Sequence, residues 1–195
     1  MTTVDLAFPI TSATSIPADH GYLLYSAVSK YIPELHQTDG VAIHPIRGRQ
    51  DGMRGLSLQR WSAVTVRASD DRIGGFLKLA GKSLRIGPAM VVVGVPTVSL
   101  VLASPKLRSR LVTTKNGTDP ERFLAEVRRQ MTTLGISERP GVTVGKRRTT
   151  RIKDKEVVGY ELTVDQLGEQ ESLLLQRHGV GGRRVMCCGV FVPES

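Results

Sequence analysis

The stretch "DPERFLAEVRRQMTTLGISERPGVTVGKRRTTRIKDKEVVGYELTVDQLGEQESLLLQRHG", residues 119–179, reads as helix, hairpin, helix. Asp119 stands at a helix N-cap, Pro120 at the first helical position and Gly135 just past the end, each where backbone chemistry favours it. "GVTVGKRRTTRIKDKEVVGYELTV" follows as two strands around "KDKE", and "DQLGEQESLLLQRHG" as a second helix with Asp165 as cap and a glycine stop. Strand material lies before it ("TVSLVLAS", "SRLVTTK") and after it ("RRVMCCGVFV"). The order is therefore β-α-β-β-α-β.

The first half carries the same order. "VDLAFPI" alternates as a strand does. "IPADHGYLLYSAVSKYI" predicts a helix capped by Asp19, with Leu23, Leu24, Ala27, Val28 and Tyr31 at helical spacing and Pro33 ending it. "GVAIHPI" and "LSLQRWSAVTVRAS" predict strands around the glycine-rich turn "GRQDGMRG". "DDRIGGFLKLAG" predicts a helix, capped by Ser69 or Asp70, and "KSLRIGPAMVVV" a further strand. The expected fold class is α+β, two tandem ferredoxin-like domains, 1–95 and 96–195.

The 195 residues carry 27 Lys and Arg against 18 Asp and Glu, a formal charge of +9, and so point to a polyanionic partner. The surplus is concentrated in "KRRTTRIKDK", where only Asp154 opposes the cations. On a strand Lys146 and Arg148 would share one face, and Arg147, Thr149, Arg151 and Lys153 the other, a ribbon suited to a phosphate backbone. The plainer account is a solvated hairpin whose cations discourage edge pairing.

In "RHGVGGRRVMCCGVF", residues 177–191, the order helix, glycines, strand is the reverse of a nucleotide-binding loop, and no GK[ST] is present. No small-molecule cofactor is expected. Gly179, Gly181 and Gly182 with Arg183 and Arg184 suggest a backbone-and-guanidinium surface for anions, and the plainer account is a helix cap and tight turn. Cys187 and Cys188, adjacent on an expected strand, suit neither a disulfide nor a tetrahedral zinc site. With no disulfide framework, no basic apolar leader in "MTTVDLAFPI" and no apolar run long enough to span a bilayer, a cytoplasmic protein that does not enter membranes is expected. Acids are scattered, so no metal site is expected. His20, His36 and His44 flank the first helix near Tyr22, Tyr25 and Tyr31, an arrangement compatible with acid–base chemistry on a phosphodiester, although each histidine also has a structural account.

Taken together, "IPADHGYLLYSAVSKYIPELHQTDGVAIHPIRG", "LAGKSLRIGP", "KLRSRLVTTK", "GKRRTTRIKDKEVVGYE" and "RHGVGGRRVMCCGVFVP" resemble the CRISPR-associated repeat-cleaving endoribonucleases of the RAMP superfamily, in their compact type I subgroup. The resemblance spans nearly the whole chain, and the glycine-rich loop is its most specific mark. It implies the double ferredoxin-like fold and metal-independent cleavage of precursor CRISPR RNA by the ribose 2′-OH, leaving a 2′,3′-cyclic phosphate and a 5′-hydroxyl. It implies a repeat-RNA hairpin as partner, retained after cleavage, and an effector complex. Matched by position, it implies His36 as general base or acid and Tyr25 as an aid at the nucleophile or phosphate. His44 and then His20 follow as alternatives, and Arg47 would stabilise the phosphate. Cys187 departs from the family, which more often has glycine there. A second expectation from the same fold is a non-catalytic RNA-binding subunit of a CRISPR effector or transposon-targeting complex, and a third is a general basic RNA-binding module.

Overall fold

The structure, a computed structural model, describes residues 1–195 except 13, 14, 38, 39 and 195; of His36 and Gln37 it describes the backbone only. The chain divides into two compact units, Met1–Leu100 and Val101–Ser195.

The first unit runs β1 (Thr3–Thr11), β2 (Ile16–Pro17), α1 (Gly21–Ser29), a 3₁₀ turn Pro33–Gln37, β3 (Ala42–Ile43), β4 (Arg49–Gln50), β5 (Gly55–Ser57), β6 (Ala63–Ser69), α2 (Ile73–Phe76), β7 (Ser83–Ile86), β8 (Ala89–Val93) and β9 (Thr97–Leu100). The main sheet has the order β3-β6-β1-β8-β7, with β9 also on β1, while β2, β5 and β4 form a small separate sheet. Read as β1-α1-β3-β6-α2-β8, this is the ferredoxin-like arrangement, with the first and third strands side by side. Antiparallel pairing sets Val4 against Ala68, Leu6 against Val66 and Phe8 against Val64, all buried. Each such aliphatic or aromatic side chain contributes about 1.5–3 kcal/mol by leaving water. Alternation puts Asp5 and its partner Arg67 on the opposite face.

Several expected elements differ here. α1 begins at Gly21, so its N-cap is His20 rather than Asp19, and no side chain caps it. "LSLQRWSAVTVRAS" is broken into β5 and β6 by a turn at residues 59–62. "DDRIGGFLKLAG" forms one α-helical turn between two 3₁₀ turns, because Gly74 and Gly75 are poor helix formers. "TVSLVLAS", expected with the second half, belongs to the first: Thr97–Leu100 pairs with Ala7–Val4 of β1.

The second unit is β10 (Leu107–Val112), α3 (Pro120–Thr133), β11 (Gly141–Ile152), β12 (Lys155–Asp165), α4 (Glu169–His178), a 3₁₀ turn Arg184–Met186 and β13 (Val192–Pro193), with sheet order β11-β12-β10-β13. The cap of α3 is as expected: Asp119 Oδ1 accepts from the N–H groups of Glu121 (3.0 Å) and Arg122 (3.1 Å). Phe123, Val127 and Met131 then recur at one-turn spacing and are buried with Tyr160, Leu162, Leu175 and Phe191. Asp165 does not cap α4. It closes β12, and Glu171 reaches back instead to accept from Gly168 N–H at 2.8 Å. "RRVMCCGVFV" is mostly not a strand, since Arg183 (φ 64°) and Cys187 (φ 65°) are left-handed and break extension. The two cysteines therefore do not alternate across a sheet: Cys188 is buried and Cys187 half-buried.

Candidate active site and nucleic-acid interface

In the first unit the residues after α1 are positioned by the apolar pattern of the helix. Tyr31 and Ile32 N–H both bond to Val28 carbonyl, and Leu35 N–H to Ile32 carbonyl. Ile32 and Leu35 are buried. The chain is thus held in the turn that carries His36, whose side chain lies outside the described residues. Tyr25 is buried on α1, its ring 6.2 Å from that of Tyr22.

His20 is 3 % exposed, and both ring nitrogens face the backbone. Nε2 accepts from Ile46 N–H at 2.9 Å, so Nδ1 carries the proton and donates to Pro17 carbonyl at 3.0 Å. A neutral imidazole bonded on both sides is a clamp between two backbone groups. The clamp acts on the segment after β3. His44 N–H bonds to Thr65 carbonyl (2.9 Å), Ile46 N–H to His20, and Arg47 carbonyl accepts from Ser62 Oγ (2.6 Å). Arg47 itself is exposed.

His44 Nε2 lies 3.4 Å from Asp5 Oδ1. Asp5 is gripped by Arg67, which is 2 % exposed, through Nε at 2.7 Å and Nη2 at 2.8 Å. Burial pushes the Asp5 carboxyl up, but the hydrogen bonds from Arg67 and His44 outweigh it and hold the group well below the usual carboxylate range. Burial, aided by the Arg67 and Arg47 charges, pushes His44 down against the pull of Asp5, so the imidazole is neutral near pH 7. The Asp5–Arg67 pair went unread in the sequence. Its signal was one acid and one base at odd positions of two otherwise apolar strands.

In the second unit the register of β11 on β12 shifts between Val144 and Arg147. Beyond the shift, Arg147, Thr149 and Arg151 are exposed, and Arg148, Thr150 and Ile152 turn inward. Lys146 is exposed at the irregularity itself. Lys153 leaves the strand and sits in the hairpin turn at φ 54°, so the expected four-residue face ends at Arg151. Arg148 is engaged rather than presented. Its Nε donates to Glu161 Oε1 at 2.6 Å, its Nη2 contacts the same oxygen, and Arg108 Nη2 lies 3.2 Å from Oε2. Burial raises the Glu161 carboxyl, and the two guanidiniums bring it below its ordinary value.

The glycine-rich loop is seated on the end of β10. Gly182 N–H donates to Thr113 carbonyl (2.9 Å), Gly181 N–H to Gln130 Oε1 (2.7 Å), and Gly189 N–H to Leu111 carbonyl (2.8 Å). A Cβ on Gly181, at φ 79°, would stand 2.5 Å from Thr113 oxygen, so only glycine fits. Gly179, at φ 64°, is closed in by Gly189 oxygen in the same way, whereas Gly182 faces open space. Arg183 is exposed, with Nη1 3.4 Å from Thr113 Oγ1. Arg184 is turned back. Its Nη1 donates to Arg177 carbonyl (2.6 Å) and its Nη2 to Gln176 carbonyl (3.2 Å), closing α4 rather than facing a ligand. His178, exposed at the end of α4, is held below its ordinary pKa by burial and by Arg177 and Arg184. Among the described residues no three His, Cys, Asp or Glu side chains converge as a metal site would require, and no helix is long and apolar enough to cross a membrane.

The comparisons with known proteins bear on this arrangement. The family model described as "Cas6 Crispr" matches residues 4–195. The protein named "CRISPR-associated endonuclease Cas6" of Myxococcus xanthus (strain DK1622) is 35 % identical over 195 residues, 100 % of this chain and 83 % of that one. A solved structure of "CRISPR associated protein Cas6" matches with TM-score 0.66 at 15 % identity, covering 100 % of this chain and 99 % of its own. Another, "An RAMP protein binding different RNA substrates", matches with TM-score 0.68 at 13 % identity over 98 % of each chain. At such identities the two structures speak to the fold, which is the tandem ferredoxin-like one.

Proposed function

The chain belongs to the Cas6 family of CRISPR-associated endonucleases, and from that premise we propose that it cleaves precursor CRISPR RNA within its repeats by metal-independent acid–base chemistry. The ribose 2′-OH upstream of the scissile bond attacks phosphorus. The 2′-O–P bond forms, the P–O5′ bond breaks, and the products are a 2′,3′-cyclic phosphate and a 5′-hydroxyl. One group must take the 2′ proton, another must supply a proton to the leaving O5′, and a cation must face the charge that builds on the non-bridging oxygens.

We assign the proton transfer to His36. The commitments of the other two histidines support this: His20 has both nitrogens on backbone groups, and His44 is neutral with Nε2 toward Asp5. Tyr25 assists at the nucleophile or phosphate, and Arg47 stabilises the phosphorane. Lys146, Arg147, Arg151 and Lys153 bind the repeat hairpin through phosphates, with Arg183 and the open backbone at Gly182 as a second contact. Retention of the product hairpin and delivery to an effector complex belong to the same reading. The observation that carries it is the cationic ribbon of β11, mounted on a chain that aligns over its full length with a CRISPR-associated endonuclease.

The test is incubation with a repeat hairpin in EDTA, with end-group analysis of the products. Cleavage with a cyclic phosphate is expected, and a single 2′-deoxy substitution upstream of the cut should abolish it. Tight binding without turnover would replace this reading with the alternative of a non-catalytic guide-RNA subunit.

A further inference from the structure

The turn that breaks the long strand of the first unit presents the chain's single tryptophan. Trp61 is 60 % exposed. Its surroundings are built rather than loose. Ser62 N–H donates to Gln59 carbonyl (2.8 Å), closing a four-residue turn with Arg60 and Trp61 at its two central positions. Gln59 N–H donates to Ser62 Oγ (2.8 Å), and Gln59 Nε2 to Ser57 carbonyl (3.2 Å). Ser62 is buried, its carbonyl accepts from Ile10 N–H (3.2 Å), and its hydroxyl donates to Arg47 carbonyl. That last bond ties the turn to the segment clamped by His20, so Arg47, Arg60 and Trp61 come to one end of the β3–β6 strand pair. Arg47, Arg49 and Arg60 are all exposed, and among the described residues no carboxylate stands within ion-pair distance of any of them.

We infer that Trp61, with Arg47 and Arg60, is a stacking platform for an unpaired nucleotide flanking the RNA hairpin. This rests on the proposed RNA-processing function. A large indole held in water on a fixed turn offers a π-face to any base that is not already stacked, and guanidiniums beside it meet the phosphates on either side. Bases inside a duplex are stacked on their neighbours and cannot use such a face, so the platform selects single-stranded RNA. The bond from Ser62 Oγ to Arg47 carbonyl (2.6 Å) sets the turn beside Arg47, the residue assigned to the phosphate, so the stacked nucleotide neighbours the candidate site.

Because Trp61 is the only tryptophan, its fluorescence reports directly. We expect quenching when the protein is titrated with a repeat hairpin carrying unpaired flanks, and little with the same hairpin trimmed to its paired stem. Trp61→Ala should weaken binding of the flanked RNA about 5- to 100-fold, Trp61→Phe should keep most of it, and both should bind the trimmed stem as the wild type does. If Trp61→Ala binds flanked RNA as tightly as a wild type that binds and cleaves it, the platform is overturned and the endonuclease reading stands. Equal quenching by the trimmed stem also overturns it. A wild type that binds neither RNA overturns both.

Discussion

The two units share one topology and use it oppositely. The second is regular: a 14-residue capped helix, a hairpin of 12- and 11-residue strands, and its cations mostly in water. The first has two-residue strands, a helix reduced to one turn, and polar groups drawn inside: His20 between two backbone groups, Arg67 on Asp5, His44 beside them. A regular ladder satisfies its own backbone and leaves side chains free to face a ligand. An interrupted ladder leaves backbone groups that side chains must satisfy, and those side chains become fixed in place. The fixed groups of the first unit hold the backbone around the turn that carries His36, and the free cations of the second suit a phosphate backbone.

The largest test of that contrast is on rate. His36→Ala should lower the cleavage rate constant about 10²- to 10⁴-fold. His20→Leu should lower the melting temperature and leave the shape of the pH–rate profile unchanged; a profile that loses a limb would return His20 to the chemistry. The next is on stability. Arg67→Met strands the Asp5 carboxylate and should cost about 3 kcal/mol in urea unfolding, whereas Arg147→Met in the second unit should stay within about 0.5 kcal/mol and instead reduce the salt dependence of RNA binding. Equal stability losses would erase the distinction between the units.

A smaller effect separates the glycines of the loop. Gly181→Ala forces a Cβ against Thr113 oxygen at a left-handed φ and should destabilise by about 2 kcal/mol. Gly182→Ala meets nothing and should be near neutral in unfolding. The smallest concerns Glu171. The Ser137 hydroxyl, then the N–H groups of Gly168 and Ser137, hold its pKa down to about 2, with Arg139 adding to the effect. The folded value lies below the unfolded one. The stabilisation is therefore complete above about pH 4.5 and lost as pH falls toward 2. Melting curves of wild type and Glu171→Gln should differ at neutral pH and converge in acid.

Much of this was legible in the sequence where local chemistry decides. Asp119, Pro120 and Gly135 mark α3 because caps and φ preferences act within a few residues. The cations of β11 are visible as composition, and alternation along β1 marks its buried face. The site was less legible, because its meaning depends on partners distant in the chain. Arg148 and Arg184 read as ligand-facing until Glu161 and the carbonyls of α4 are seen beside them. His20 reads as a candidate acid until Ile46 N–H, 26 residues on, occupies its second nitrogen. Arg67 and Asp5, 62 residues apart, meet only through the register of β6 on β1.

By itself, then, the sequence determined the element order, the charge and its concentration on one hairpin, and the family to which the residues belong. Those depend on neighbours along the chain and on counts of residue types. Tertiary structure alone decided which cations are available and which are consumed, which histidine is a clamp, and where the glycines admit no side chain. A charge or an imidazole is used by whatever lies within about 3 Å of it, and at that range the neighbours come from other strands.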